Sequence, residues 1–104
     1  MPEFLFRKEV VPGIIVHTLA TGGDMMLCYV TLCKGARLPE HSHPHHQSSF
    51  VVSGHLRFSV DGVVHDRRSG EGIVFAPNVP HGAEVIEDSI VSDVFVPVRK
   101  EYLP

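Results

Sequence analysis

The chain has 104 residues, of which 43% are hydrophobic and 20% are charged, a balance typical of one folded domain rather than of a disordered chain. Nine basic and twelve acidic residues leave a net charge of −3, which argues against a nucleic-acid partner. The apolar run over residues 25–30 is far short of the roughly 20 residues of a membrane helix, and charged residues interrupt the apolar N-terminus, so we expect a cytoplasmic protein without membrane contact.

The first twelve residues are predicted to form an N-terminal arm of a single domain that covers residues 1–104. The arm contains the apolar sequence Phe4-Leu5-Phe6 and lies outside the strand pattern that follows it. Such an arm could cover one end of its own barrel or pack across a second subunit. Because small β-barrels often bury apolar segments by association, we favour a homodimer.

The rest of the chain predicts strands rather than helices. Nine glycines and eight prolines divide it into short runs rich in Val, Ile, Phe and Thr. The predicted strands are residues 14–19, 25–33, 41–45, 48–53, 56–60, 73–75, 83–86 and 90–96. Gly22-Gly23-Asp24 predicts a turn, and Asp61-Gly62 predicts a tight hairpin turn of type I′. Many short strands with regular turns indicate an all-β sandwich or closed barrel.

The cysteines and the isolated histidines suggest structural roles. Cys28 and Cys33 are five residues apart, so on one strand they point to opposite faces and cannot form a disulfide. We therefore expect both to be free, buried thiols. His17, His55 and His65 are expected on the surface or in turns.

The segment from residue 41 to residue 47 is the main functional signal. It reads His-Ser-His-Pro-His-His-Gln. On a strand His41, His43 and His45 would share one face, which Gln47 continues. A row of neutral imidazoles is poor core filling, because each buried ring nitrogen needs a partner, and a divalent transition metal satisfies that need.

A further ligand is expected from a distant segment. His81 follows the rigid sequence Ala-Pro-Asn-Val-Pro and precedes a predicted strand, which suits a ligand delivered by a turn. The alternative is an exposed histidine-rich loop with adventitious metal affinity. Gln47 could also act as a hydrogen-bonding group rather than as a ligand.

Two motifs in the chain resemble those of the cupin superfamily. The first reads Gly35, five residues, His41-Ser42-His43, three residues, Gln47, six residues and Gly54, and departs from the family only in having Gln for Glu. In the second, Gly70 and His81 fit, whereas Ala76, Asn78 and Val85 replace the usual Pro, Gly and Asn; Asn can still adopt the left-handed turn conformation. The resemblance implies a double-stranded β-helix (jelly-roll) barrel. It also implies one divalent Zn, Ni, Mn or Fe ion held by His41, His43, Gln47 and His81.

A narrower resemblance extends from about Met25 to Leu103. Residues 43–47, residues 78–82 and the tail from Asp93 onward are similar to the small pectin-degradation cupins of the KdgF type. These cupins also use Gln as the fourth ligand, which accounts for the departure in the first motif. In the tail, Lys100 and Glu101 replace the usual acidic pair. The resemblance implies ketonisation of 4,5-unsaturated uronates to linear keto sugars in pectin or alginate catabolism.

The tail supplies candidate residues for that chemistry. Asp93, Phe95, Pro97 and Arg99 would share one face on a strand. Asp93 is then a candidate general acid or base. Phe95 could form an apolar wall of the sugar site, and Arg99 could bind the carboxylate of the sugar through two guanidinium N–H groups. The plainer alternatives are a carboxylate that caps backbone groups, a core aromatic and an exposed or interfacial ion pair.

His45 is expected to line the substrate pocket, and His46 to point away from it. Gln leaves the full metal charge uncompensated, which favours a small anionic substrate. Two other functions stay open: a metal-dependent dioxygenase acting on a small aromatic or thiol substrate, and a non-catalytic ligand-binding cupin.

Overall fold

The computed structural model describes residues 4–104 and consists almost entirely of antiparallel strands. The expected all-β class is confirmed. Its elements are β1 (Phe6–Val11), β2 (Ile14–Gly22), β3 (Met25–Leu32), β4 (Arg37–His41), β5 (His46–Val60), β6 (Val63–Arg68), β7 (Gly72–Phe75), β8 (His81–Val96) and a short 3-10 helix, η1 (Lys100–Tyr102). No helix in this described part is long and apolar enough to cross a membrane.

Two long strands, β5 and β8, hold the barrel together. They pair with each other from His46↔Val96 to Val60↔His81, with register shifts between Val51 and Leu56. The first half of β8 also pairs with β4, whereas its second half pairs with β3. Likewise, the first half of β5 pairs with β7 and its second half with β6. Each long strand therefore joins two shorter strands to its long partner within one eight-stranded sheet, and this arrangement is the expected double-stranded β-helix barrel.

The bend of β5 depends on Gly54. Its φ of +102° lies in the region that favours glycine. A Cβ atom at this position would lie 2.2 Å from Ser89 Oγ and 2.5 Å from the carbonyl oxygen of Asp88. The two paired long strands can therefore lie this close together at residue 54 only because it has no side chain.

Alternation along the strands places the core inside the barrel. Residues that pair across antiparallel strands share a face. One inward row runs Met26, Phe95, Gln47, Phe75, and the next runs Cys28, Asp93, Ser49, Ile73. Polar side chains of these two rows thus lie beside buried Phe and Met, so the barrel interior holds both the core and the candidate site.

Several strand predictions were wrong in their extent. The predicted strands 48–53 and 56–60 are one strand, as are 83–86 and 90–96. The predicted strand 41–45 does not form: β4 ends at His41, and residues 42–45 make a bend that contains Pro44. Much of the expected arm is a strand, because β1 pairs with β2 from Phe6↔Thr18 to Val11↔Ile14. Its role in a homodimer stays a prediction, and residues 1–3 lie outside the described chain.

Local turn chemistry was predicted correctly. Asp61 and Gly62 have φ values of +49° and +82°, as a type I′ turn requires, and Asn78 has a φ of +65°. The expected surface position was wrong for His17 and His55, both of which are buried. His17 contacts the carbonyl oxygen of Tyr29, and His55 contacts a carboxylate oxygen of Asp66 at 2.8 Å, so partners satisfy both rings.

Both cysteines are free, but only one of them is buried. Burial raises the pKa of the Cys28 thiol to about 11. Cys33 follows the end of β3 and is exposed, so the expectation of a buried thiol was wrong there. The alternation of a strand no longer applies once the strand has ended.

Candidate metal centre

Three histidines from two distant segments meet at one end of the barrel. His41 is the last residue of β4, and it pairs directly with His81, the first residue of β8. His43 follows two residues after β4. The three residues can each offer one ring nitrogen such that these atoms lie within 4.8 Å of one another. This grouping is compatible with a divalent metal ion.

Backbone carbonyls orient two of the three rings. Nδ1 of His41 lies 3.0 Å from the carbonyl oxygen of Pro39, and Nδ1 of His81 lies 2.9 Å from that of Val79. Because a carbonyl oxygen only accepts, each Nδ1 carries the proton and each Nε2 keeps a free lone pair. Nε2 of His81 is buried without a hydrogen-bond partner, the condition that a metal ion would relieve.

His43 is held between the first segment and the turn that precedes β8. Its carbonyl oxygen accepts a hydrogen bond of 2.8 Å from the backbone N–H of Asn78. Burial, together with the nearby charges of Arg99 and His81, lowers the pKa of His43 to about 4. Burial also lowers the pKa of His81. Both rings are therefore neutral at pH 7, which is the form that binds metals.

Gln47 brings an amide oxygen to the cluster. Its Oε1 lies 3.0 Å from Nε2 of His43. This separation also suits two donor atoms that share one ion, since a metal–nitrogen bond is about 2.1 Å long. His43, Gln47 and His81 are all buried. Together with His41, these residues fit a divalent ion in donor type and position.

A hydrogen-bonded chain runs from Gln47 deeper into the barrel. Nε2 of Gln47 donates to Ser49 Oγ at 3.0 Å, and Ser49 Oγ donates to Asp93 Oδ1 at 2.5 Å. Burial raises the pKa of Asp93 to about 6, although the hydrogen bond from Ser49 and the charge of Arg99 oppose this rise. A carboxyl group with a pKa near neutrality can both take up and release a proton at physiological pH.

A cavity of about 70 Å³ connects these groups. His41, Gln47 and Asp93 line it together with Arg99 and apolar side chains of the core. The Arg99 guanidinium lies over the rings of Phe95 and Tyr102, at 5.2 and 4.6 Å from their centroids. The cavity lining thus combines polar, aromatic and aliphatic side chains, which suits a small polar ligand with an apolar ring face.

The match with known proteins confirms the family. A family model described as "Cupin domain" matches residues 28–96. The chain belongs to the cupin family. None of the curated proteins matches the sequence.

Solved structures share the fold of this cupin along most of its length. KdgF from Halomonas sp. is 32% identical, with a TM-score of 0.87 over 93% of this chain and 92% of its own. An RmlC-like cupin from Shewanella frigidimarina NCIMB 400 is 30% identical, with a TM-score of 0.87 over 93% and 87% of the two chains. Salicylate 1,2-dioxygenase from Pseudoaminobacter salicylatoxidans is 17% identical, with a TM-score of 0.77 over 84% of this cupin and 28% of its own chain, and shows the fold alone.

The tail of the cupin departs from the predicted strand geometry. Asp93 and Phe95 both point into the barrel, as expected, but β8 ends at Val96, and Pro97 is exposed. Arg99 therefore does not continue the inward face of the strand. It returns to the cavity because the chain bends at Pro97 after β8 has ended, and its Nε donates to Glu101 Oε1 at 2.7 Å.

Of the two other histidines in the first motif, one lies beside the histidine cluster and the other points to solvent. The ring of His45 lies 5.2 Å from that of His43 and 6.5 Å from that of Phe95, centroid to centroid. His45 is half-buried and borders the cluster, whereas His46 is exposed, as expected. The bend at residues 42–45, rather than a strand, places His45 there.

Two residues of the site were not singled out from the sequence. Ser49 is two residues after Gln47 on β5, so the period of a strand was sufficient to place it on the same face. Tyr102 lines the cavity from η1. No periodic signal marks Tyr102, because its position depends on the turn of the chain after β8.

Proposed function

We propose that this cupin binds one divalent metal ion through His41, His43, Gln47 and His81 and ketonises 4,5-unsaturated uronates in the cytoplasm. The observation that carries the proposal is one cavity lined by His41 and Gln47 and also by Asp93 and Arg99. The likeness to KdgF at 32% identity supports the substrate class. The metal could be Zn, Ni, Mn or Fe, because three imidazoles and an amide oxygen accept all four.

Charge favours an anionic substrate at this site. Gln47 is neutral, so three imidazoles and an amide would leave the charge of a divalent ion uncompensated. A bound ion would act as a Lewis acid that stabilises negative charge on an oxygen of the substrate. Arg99 adds a second positive charge in the same cavity. The Nε of Arg99 already donates to Glu101. A substrate carboxylate would therefore accept hydrogen bonds from the two terminal guanidinium nitrogens of Arg99.

Asp93 is the proposed acid and base. Ketonisation to a linear keto sugar is an isomerisation: the bond between C1 and the ring oxygen breaks, C4 gains a proton, and the C1 hydroxyl loses one as C1 becomes an aldehyde and C5 a ketone, so no other reactant is consumed. Asp93 is buried, lines the cavity and has a pKa of about 6, which suits transfer in either direction. Phe95 and His45 would bind the sugar, because Phe95 lines the cavity and the ring of His45 lies 6.5 Å from that of Phe95, centroid to centroid.

The direct test follows the conjugated double bond. Purified protein loaded with each of the four metals is given an unsaturated galacturonate, and the loss of ultraviolet absorbance is recorded. Wild type should accelerate the loss at least a hundredfold over buffer, and Asp93→Asn should remove most of that acceleration. His46→Gln is the matched control, because His46 is exposed beside the site. A wild-type rate equal to that of buffer with every metal would reject the activity.

The same experiment separates the two alternative functions. A dioxygenase would consume oxygen with an aromatic or thiol substrate, and an oxygen electrode would record it. A binding protein would show saturable uronate binding by calorimetry without turnover. The likeness to salicylate 1,2-dioxygenase concerns the fold alone, so the uronate reaction is the better-supported proposal.

A further inference from the structure

We propose that Ser49 is a positioning residue of the metal centre, which holds the amide of Gln47 with its oxygen, rather than its nitrogen, toward the metal ligands. The inference rests on the metal-binding part of the proposed function and is independent of the substrate. It concerns a side chain that contacts none of the three histidines in the hydrogen-bond pattern of the described residues.

The topology places Ser49 between Gln47 and Asp93. Ser49 pairs directly with Asp93 across β5 and β8, and it shares the inward face of β5 with Gln47. The Ser49 side chain is buried, at 2% exposure. Its Oγ accepts from Gln47 Nε2 at 3.0 Å and donates to Asp93 Oδ1 at 2.5 Å. Three residues thus form one continuous chain that leads to the edge of the histidine cluster.

The donors and acceptors of this hydrogen-bonded series can be arranged in only one way. An ionised carboxylate accepts hydrogen bonds and cannot donate, so Asp93 takes the single proton of the Ser49 hydroxyl. The hydroxyl oxygen can then only accept, and it needs a donor. The NH2 group of Gln47 is that donor, so Oε1 turns to the opposite side, 3.0 Å from Nε2 of His43.

Without the hydroxyl, the amide of Gln47 loses this constraint. An amide that rotates by 180° presents NH2 to the cation, and NH2 has no lone pair for a metal bond. The buried site would then spend part of its time with three ligands in place of four. Outer partners that orient metal ligands typically contribute 10–100-fold to metal affinity.

The same polarity explains why residue 47 is Gln where the general motif has Glu. A Glu side chain would present a second acceptor to a hydroxyl that has one proton, already given to Asp93. Two carboxylates would then face one buried hydroxyl, which is unfavourable at low dielectric. The pair of Ser49 and Asp93 is therefore matched to an amide ligand.

Cobalt(II) binding provides a test that does not depend on turnover. Ser49→Thr and Ser49→Val are nearly equal in volume and differ by the hydroxyl group. At pH 7.5, Co²⁺ affinity is measured by competition with a chromophoric chelator, and the visible d–d spectrum reports the ligand set. We expect Ser49→Val to weaken Co²⁺ binding about tenfold relative to Ser49→Thr and to change the spectrum. Ser49→Ala, which adds no bulk, should show the same loss.

A double-mutant cycle distinguishes positioning from a general effect on folding. In a Gln47→Ala background there is no amide to orient, so Ser49→Val should weaken Co²⁺ binding no further. Urea unfolding of the metal-free variants gives their stability separately. Equal Co²⁺ affinity and spectra for Ser49→Val and Ser49→Thr would overturn the inference, as would losses that simply add in the cycle.

The outcome also separates this inference from the proposed reaction. Wild type that binds Co²⁺ but does not convert an unsaturated uronate would refute the activity and leave the role of Ser49 standing. Wild type that binds no Co²⁺ would refute both the metal centre and the role of Ser49.

Discussion

His41 and His81 face each other as direct partners across β4 and β8, with ring centroids 4.4 Å apart. One comes from the first motif and the other from the second. Their separation is set by the pairing of two strands rather than by a loop, so the candidate metal centre is built on the strands of the barrel. Metal binding should therefore stabilise the folded protein directly.

Metal addition should raise stability in a way that requires His81. A ligand present at about 100 times its dissociation constant adds about 2.7 kcal/mol to the free energy of unfolding, or roughly 10 °C or more in Tm for a domain of this size. We expect this rise for wild type with Zn²⁺ in differential scanning fluorimetry and little rise for His81→Gln. His46→Gln, altered at an exposed position, should behave as wild type. An equal rise in His81→Gln would contradict the assignment.

Acid should affect the metal-free protein through buried groups of opposite sign, with His43 and His81 on one side and Asp93 on the other. The unfolded chain protonates His43 near pH 6.5 whereas the folded protein resists until about pH 4, so this group lowers stability as the pH falls through that window. The pKa of Asp93 is raised from 3.8 to about 6, so the folded protein binds that proton first and gains stability over much of the same window. The two contributions oppose each other.

Variants should expose each contribution in turn. Between pH 6.5 and pH 4, the free energy of unfolding of metal-free Asp93→Asn should fall, because the effect of His43 is no longer offset. In His43→Asn only the lowered pKa of His81 opposes Asp93, so the free energy of unfolding should fall less than in Asp93→Asn, or rise. Each effect is on the order of 3 kcal/mol across the window. Urea titrations at several pH values measure both slopes, and parallel slopes in the two variants would refute the opposed pair.

Gly54→Ala should be among the most damaging single-methyl changes in the chain. The new methyl group would overlap Ser89 and Asp88 at a φ of +102°, and strain and overpacking together should cost about 3 kcal/mol or more. Gly70→Ala is the matched control, because its φ is +86° and no atom lies within 4 Å of the added Cβ. We expect it to cost only about 1 kcal/mol. Similar Tm values for the two variants would contradict the close approach of β8 to Gly54 of β5.

The predicted homodimer has a surface that suits it. The outer face of β3, β8, β5 and β7 carries a row of paired residues, Leu27, Val94, Ser48 and Val74, in which three of the four are apolar, and Phe50 lies beside this row. Val74 is 70% exposed and Phe50 is 47% exposed in the single chain. A mostly apolar, exposed surface of this kind is rarely left in water, so we expect a second copy of the chain to cover it.

Light scattering should report the mass of a dimer for wild type. Val74→Lys should shift the protein toward the monomer by placing a charge in the row. Val63→Lys is the control, because Val63 is also exposed, at 57%, but lies on the β5–β6 hairpin outside the row. A monomeric wild type, or equal dissociation by both variants, would refute this interface.

Much of the candidate site was recognisable from local pattern. The spacing of His41, His43 and Gln47 depends on adjacent residues, and His81 follows a turn whose Asn78 adopts the left-handed conformation expected of it. Alternation correctly placed Asp93 and Phe95 on the same inward face. These features follow from the geometry of a strand or a turn, which a short stretch of sequence encodes completely.

The sequence by itself determined the all-β class, the tight turn at Asp61 and the histidines of a cluster that is compatible with a divalent metal ion. Only the tertiary structure decided that Ser49 pairs with Asp93, that Arg99 returns to the cavity after β8 has ended, and that His55 is buried against a carboxylate. The physical reason is that these features depend on partners distant along the chain. Which strand lies beside which is a property of the closed barrel, and side-chain alternation carries no information about it.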